Sequence, residues 1–176
     1  MGQRLTDKSA LNNHTGTGDL YMVVDVSDTT GSAAGTSKKL DSKFVLQTDK
    51  ISLSNAEILA LGSTSKTLVS APGSGYAIVP ICAMLMCTYA APGNSSKASM
   101  SIAHADAANE ASLNSNPMGD SATTDNVYRF ESVGGGVFTR TSSIDNVPLI
   151  LHSSSAAFNG GFSADLYITY QIIKLS

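Results

Sequence analysis

The sequence predicts an all-β fold: a β-sandwich or jelly-roll-like antiparallel domain with a small N-terminal attachment segment and one short helix. Three observations predict it. Hydrophobicity alternates with period two over most of the chain from Lys66 onward. Clusters of glycine, proline, asparagine and serine punctuate that alternation at short spacing. The chain closes on FSADLYITYQIIKL, a long aromatic and β-branched run that ties the C-terminus into a sheet.

Taken in order, DLYMVVDV (19–26) is a short, mostly apolar strand. SNAEILALG (54–62) is the one credible helix. Ser54 serves as N-cap and Glu57 closes a capping box; Ile58, Leu59 and Leu61 form an apolar side, and Gly62 ends it. KTLVSA (66–71) runs into the turn PGSG. A long strand then spans Tyr76 to Tyr89. Ala77, Val79, Ile81, Ala83, Leu85 and Cys87 share one face, and Ile78, Cys82, Met84 and Met86 share the other. Both faces are apolar, so this strand is expected to be central and covered on both sides. Pro80 removes a ladder donor, so a bulge or bend is expected there. KASMSIAHA (97–105), NVYRFESV (126–133) with a hairpin through GGG into VFTRTSS, and NVPLILHS (146–153) supply further strands. In the last strand Leu166, Ile168, Tyr170 and Ile172 lie opposite Tyr167, Thr169, Gln171 and Ile173. Residues 106–125 lack periodicity and are expected to be a long loop of functional or interface character. The domain boundary falls near residue 50, giving an attachment segment at 1–50 and a sandwich at 51–176.

The 176 residues suit one domain, or one domain plus a small appendage. Charged residues make up only 14%, against roughly 25% in an average soluble domain. Such a surface has little self-repulsion and suits packing against other subunits. Net charge is −3 and the longest basic run is Lys38-Lys39. No basic stripe exists to hold a nucleic-acid backbone. No run of 18 apolar residues predicts membrane insertion, and the N-terminus lacks a signal-peptide stretch. Cys82 and Cys87 lie on one strand, too far apart to bridge each other, and are read as two buried thiols.

Candidate chemistry fails residue by residue. Within DVSDTTGSAAGTSKKLD (25–41), a calcium loop begun at Asp25 would need glycine where Thr30 stands and glutamate where Thr36 stands. A phosphate loop needs four residues between its glycines and then lysine; Gly31 and Gly35 enclose three, and Thr36-Ser37 precede Lys38. What remains is a turn whose Asp and Ser side chains bond their own backbone. His14, His104 and His152 have no partner at ligand spacing. Of Glu57, Glu110 and Glu131, the first is a helix-capping residue and nothing singles out a catalytic pair. No G-x-S-x-G occurs. Tyr89, Tyr128, Tyr167 and Tyr170 sit in strand patterns and are read as core or interface residues. No catalytic, cofactor-binding or metal-binding residue is assigned, and a non-enzymatic role is expected.

Residues 18–47, GDLYMVVDVSDTTGSAAGTSKKLDSKFVLQ, resemble the N-terminal module of bacteriophage tail-fibre and other virion appendage proteins. The likeness is carried by the apolar strand Leu20–Val26, the acidic turn Asp25–Asp28, the step Gly35–Lys39 and the apolar element Phe44–Leu46. Residues 51–89 and 146–173 are similar to small β-sandwich proteins encoded among phage structural genes. The resemblance implies a virion component located in the particle, docked to capsid, tail or fibre subunits, with no cofactor. It implies a homo-oligomer, with a trimer favoured. Because no long shaft follows the anchor, a head fibre, capsid decoration or adaptor role is expected over a full tail fibre. Two other expectations stand beside it. One is a carbohydrate-binding adhesin contacting a host-surface glycan, against which the lack of tryptophan counts. The other is a polysaccharide-acting enzyme.

Overall fold

The computed structural model describes residues 20–31, 33, 35–41, 44–90, 99–105, 113–115, 124–132, 144–153 and 158–175. The chain divides into two compact units, Met1–Val45 and Leu46–Ser176. His14, Glu110, most of loop 106–125 and the expected second hairpin strand VFTRTSS lie outside the described residues.

In the first unit, β1 (Leu20–Asp25) and β2 (Thr36–Asp41) form a two-stranded antiparallel sheet, with Leu20 opposite Asp41 and Asp25 opposite Thr36. The stretch 25–41 is therefore a turn only up to Gly35; its second part is a strand that the sequence reading missed. Inside the turn Asp25 Oδ1 accepts from Ser27 N at 3.0 Å and Ser27 Oγ at 2.6 Å. Asp28 Oδ1 accepts from Thr30 N at 3.0 Å and Thr30 Oγ1 at 2.6 Å. Gly35 takes φ +108°, and a Cβ there would meet Asp25 O at 2.7 Å. Only glycine lets the chain re-enter the ladder so close to β1.

In the second unit a single eight-stranded antiparallel sheet runs in the order β3-β10-β5-β8-β7-β6-β9-β4. The strands are β3 (Gln47–Leu53), β4 (Lys66–Val69), β5 (Tyr76–Ala90), β6 (Met100–His104), β7 (Leu113–Ser115), β8 (Asn126–Ser132), β9 (Leu149–Ser153) and β10 (Gly161–Lys174). β3, also unread from the sequence, spans the expected boundary near residue 50 and belongs to this unit. β8 turns the corner between two layers: its first residues pair with β5, its last two with β7. The inner faces of both layers share one core that includes Leu85, Leu166 and Ile168 from one side and Met100, Ile102, Leu149 and Leu151 from the other. The result is the expected all-β, sandwich-like antiparallel domain.

The short helix α1 (Asn55–Ala60) carries the expected capping box between Ser54 and Glu57. Lys66 pairs with Glu57 and, with the cap hydrogen bonds, lowers its carboxyl to about 2. Ile58 and Leu61 are buried while Leu59 is 37% exposed. Gly62 is not the stop: the C-cap is Leu61 in the αR region, and Ser63 and Thr64 donate to Ala60 O.

The longest pairing joins β5 and β10, from Gly161 opposite Ala90 to Lys174 opposite Tyr76. Thr169 faces Cys82 and Tyr170 faces Pro80, so Ile81 is the extra residue of a bulge beside the expected proline. The bulge exchanges the faces. Ile78 before it and Ala83, Leu85 and Cys87 after it all point to the core. The sequence reading, which ran one alternation straight through, placed Ile78 and Leu85 on opposite faces.

Two polar groups pin this core. Tyr170 Oη, in a buried residue, donates to Asp49 Oδ2 at 2.8 Å, with Gln47 Oε1 3.0 Å away. His104 is 4% exposed, and its Nε2–H donates to Ile78 O at 2.9 Å, tying one layer to the other. Burial disfavours the imidazolium and lowers the His104 pKa below 6.5. The unfolded chain therefore binds a proton more readily, and stability rises with pH through this window. The contribution is complete above about 6.5 and is lost as pH falls through the lower folded value. The thermal midpoint of the native protein should drop between neutral pH and pH 5. His104→Gln, which keeps a donor without a titrating ring, should show a flatter profile; an equal slope in both refutes the assignment.

Candidate interaction surface

The outer face of the layer β3-β10-β5-β8 follows from the same registers. Met86 lies opposite Asp165 on one side and Val127 on the other; Met84 lies opposite Tyr167 and Arg129; Cys82 lies opposite Thr169. On β3, Ser52 and Lys50 extend these rows beyond Asp165 and Tyr167. The centre of this face is apolar and open: Ile81 is 48% exposed, Met84 41%, Met86 42% and Val127 59%. Val79 and Ile173 continue the strip past the bulge. β5 is thus central within its sheet yet covered on one side only, which corrects the expectation of two covered faces. Cys82 is exposed and only Cys87 is buried, which corrects the reading of two buried thiols.

Polar groups frame the strip. Asp165 accepts from Ser52 Oγ at 2.7 Å and pairs with Lys50 Nζ at 2.8 Å, which together hold its carboxyl below the usual range. Lys50 Nζ also lies 5.9 Å from the centre of the Tyr167 ring. Arg129 is exposed, and no ion pair to it occurs among the described residues. At the Met86 end a shallow depression is bordered by Asp125, Asn126 and Asp165. Asp125 Oδ1 there accepts from Tyr89 N at 2.8 Å.

The residues weighed for chemistry are dispersed. Asp28 is lowered to about 2 by Lys38 and Thr30. Glu57 caps a helix. His104 spends Nε2 on a backbone carbonyl, and His152 sits on β9 opposite Ser101. Glu131 falls on β8 opposite Asn114. Tyr170 is a core residue, Tyr128 packs against the core, and Tyr89 and Tyr167 are partly buried. Among the described residues no group of three or more His, Cys, Asp or Glu is placed to hold a metal. No described helix is long and apolar enough to cross a membrane. The signal the sequence reading missed is in β10, whose outward residues Asp165, Thr169 and Gln171 are polar. A face shared by neighbouring strands that is wet on β10 is open on β5 as well.

No protein-family model matches the chain, and no curated protein matches it. A solved structure, "Cyanophage Pam1 capsid asymmetric unit", is similar to it at 10% identity over 75% of this chain and 84% of that one, with a TM-score of 0.35. At that score the likeness carries no argument, and the functional reading rests on the chain's own features.

The face makes two checkable statements. In dilute solution Met84→Lys and Met86→Lys should each shift denaturant stability by no more than about 0.5 kcal/mol. Leu85→Ala, between them but inward, should cost about 2–5 kcal/mol. Burial pushes the Cys87 thiol up to about 12, so a thiol reagent should label Cys82 alone in the native protein and both cysteines once it unfolds. Fast native labelling of Cys87 would show the inner face to be misassigned.

Proposed function

We propose that this chain is a non-enzymatic structural protein of a phage virion. The unit ending at Val45 attaches it to another particle component, and the sandwich acts by display or by cementing neighbours through its outer surfaces. The observation that carries the reading is the open apolar strip around Met84, Met86 and Val127 on a fold whose core is already complete. Contiguous exposed apolar surface rimmed by polar groups marks a protein contact. The fate of the carboxylates supports a non-catalytic role: Asp25, Asp28, Glu57 and Asp165 each serve their own backbone, a hydroxyl or a lysine. The virion context comes from the resemblance of residues 18–47 to the appendage module.

The test is whether the chain travels with particles. In phage particles purified by density gradient from cells expressing the chain, mass spectrometry should find it at a fixed ratio to the shell protein. Gly35→Val should break the β1–β2 hairpin and lose that association while the sandwich keeps its melting curve. A chain abundant in the lysate yet absent from particles overturns the virion reading. Particle association indifferent to Gly35→Val overturns the attachment role. Release of reducing sugar from host-envelope polysaccharide overturns the non-enzymatic one.

A further inference from the structure

We infer that a second copy of this chain covers the outer face of β3-β10-β5-β8. The two copies are related by a twofold axis lying in that face between Met84 and Met86, with Arg129 of each set on Asp165 of the partner subunit. The inference rests on the reading of this face as an association surface, though not on the virion assignment.

The registers supply the geometry. Asp165 sits on β10 beside Met86, and Arg129 sits on β8 beside Met84. They flank β5 on opposite sides, one outward-facing step apart along the strands. With strands about 4.8 Å apart and same-face residues about 6.8 Å apart, the line joining them crosses β5 about midway between the two methionines. A twofold axis in the face, through that point and perpendicular to the line, exchanges the two positions. Each arginine then lies over a carboxylate of the other copy, and the same contact occurs twice, as an isologous interface requires. The four methionines gather around the axis, and their flexible thioethers can fill an irregular seam. The strands of the two layers cross at roughly 70°, nearer the orthogonal class of sheet packing than the aligned one.

Charge favours this occupant. The face holds an exposed arginine with no ion pair among the described residues, and a carboxylate whose side chain stays 36% exposed despite its bonds to Lys50 and Ser52. One surface therefore carries both the donor and the acceptor, at positions a twofold operation exchanges. The chain's 14% charged content leaves little long-range repulsion between copies. Area sets the strength. β10 and β5 run the length Val79 to Met86 while β8 flanks only Ala83 onward, so the face is somewhat under about 500 Å² in projection, below the roughly 600 Å² per partner of a standard specific pair. A face this small fits a weak, non-obligate dimer. The same operation keeps the two Cys82 residues well beyond the roughly 4.4–6.8 Å between Cα atoms that a disulfide spans.

Sedimentation equilibrium of the full chain, from about 1 μM to about 1 mM, should fit a monomer–dimer equilibrium. Met84→Lys/Met86→Lys should leave only monomer. Arg129→Glu should weaken the dimer at least about tenfold, and Arg129→Glu/Asp165→Arg should recover most of that loss, since the pair is restored across the axis with its sense reversed. Each variant is first checked for a native melting curve; Arg129→Gln and Met84→Thr/Met86→Thr replace any that fails. A native chain that stays monomeric throughout, a threefold assembly, a dimer indifferent to the methionine or arginine changes, or a double variant no better than the single one overturns the inference. Absence of the native chain from particles, with its dimer intact, would instead sink the virion reading alone.

Discussion

The architecture depends on the pairing of β5 with β10. These are the two longest strands, and almost every buried side chain of their layer is placed by their register. β3 pairs along one flank of the couple and the first residues of β8 along the other. The bulge at Ile81 is the one irregularity in the pair, and it decides which alternate residues reach the core. A slip of β5 by one residue against β10 would turn Leu85 to water and bring Met86 inside. Registration of this pair thus fixes the outer surface as firmly as it fixes the core.

The polar contacts inside the sandwich work on a different axis. His104 and Tyr170 each hand a proton donor to a group that sequence separation would not have matched: a carbonyl of β5 and a carboxylate of β3. The His104 bond crosses between the two layers, while the Tyr170 bond reinforces the ladder between neighbouring strands of one layer. Buried donors left unmatched cost more than the bonds themselves supply, so the His104 contact selects one arrangement of the layers and the Tyr170 contact one seat for β3. At the loop joining β4 to β5, Asp145 and Asn146 accept from the backbone of Gly75 and Gly73. Asn146 itself takes φ 57°, the left-handed turn that asparagine tolerates.

Much of this was legible in the sequence, for a local reason. Period-two patterns located the strands around Leu20, Tyr76, Met100, Asn126, Leu149 and Gly161, and the Ser54–Glu57 pair located the helix. The strands at Thr36–Asp41 and Gln47–Leu53 were missed because lysine, aspartate and threonine give them no alternation; their conformation is imposed by the partners they pair with. The three-residue strand β7 escaped for the same reason. The proline signalled a bulge, but a single inserted residue inverts the alternation beyond it, and reading straight through reversed the inner and outer faces of half the strand. Cys82, Met84 and Met86 read as buried because the alternation was judged strand by strand, whereas exposure belongs to a whole sheet face.

The margin of the sheet at β3 bears on how such a chain behaves when crowded. β3 hydrogen-bonds to β10 along one side, and it ends the strand order. At its middle stand Asp49 and Lys50. A charged margin is a poor template for another strand, because a newcomer would have to seat its backbone beside ionised groups. Copies held at high local density can therefore touch face to face without zipping together along this margin. At β3, close neighbours stay discrete bodies.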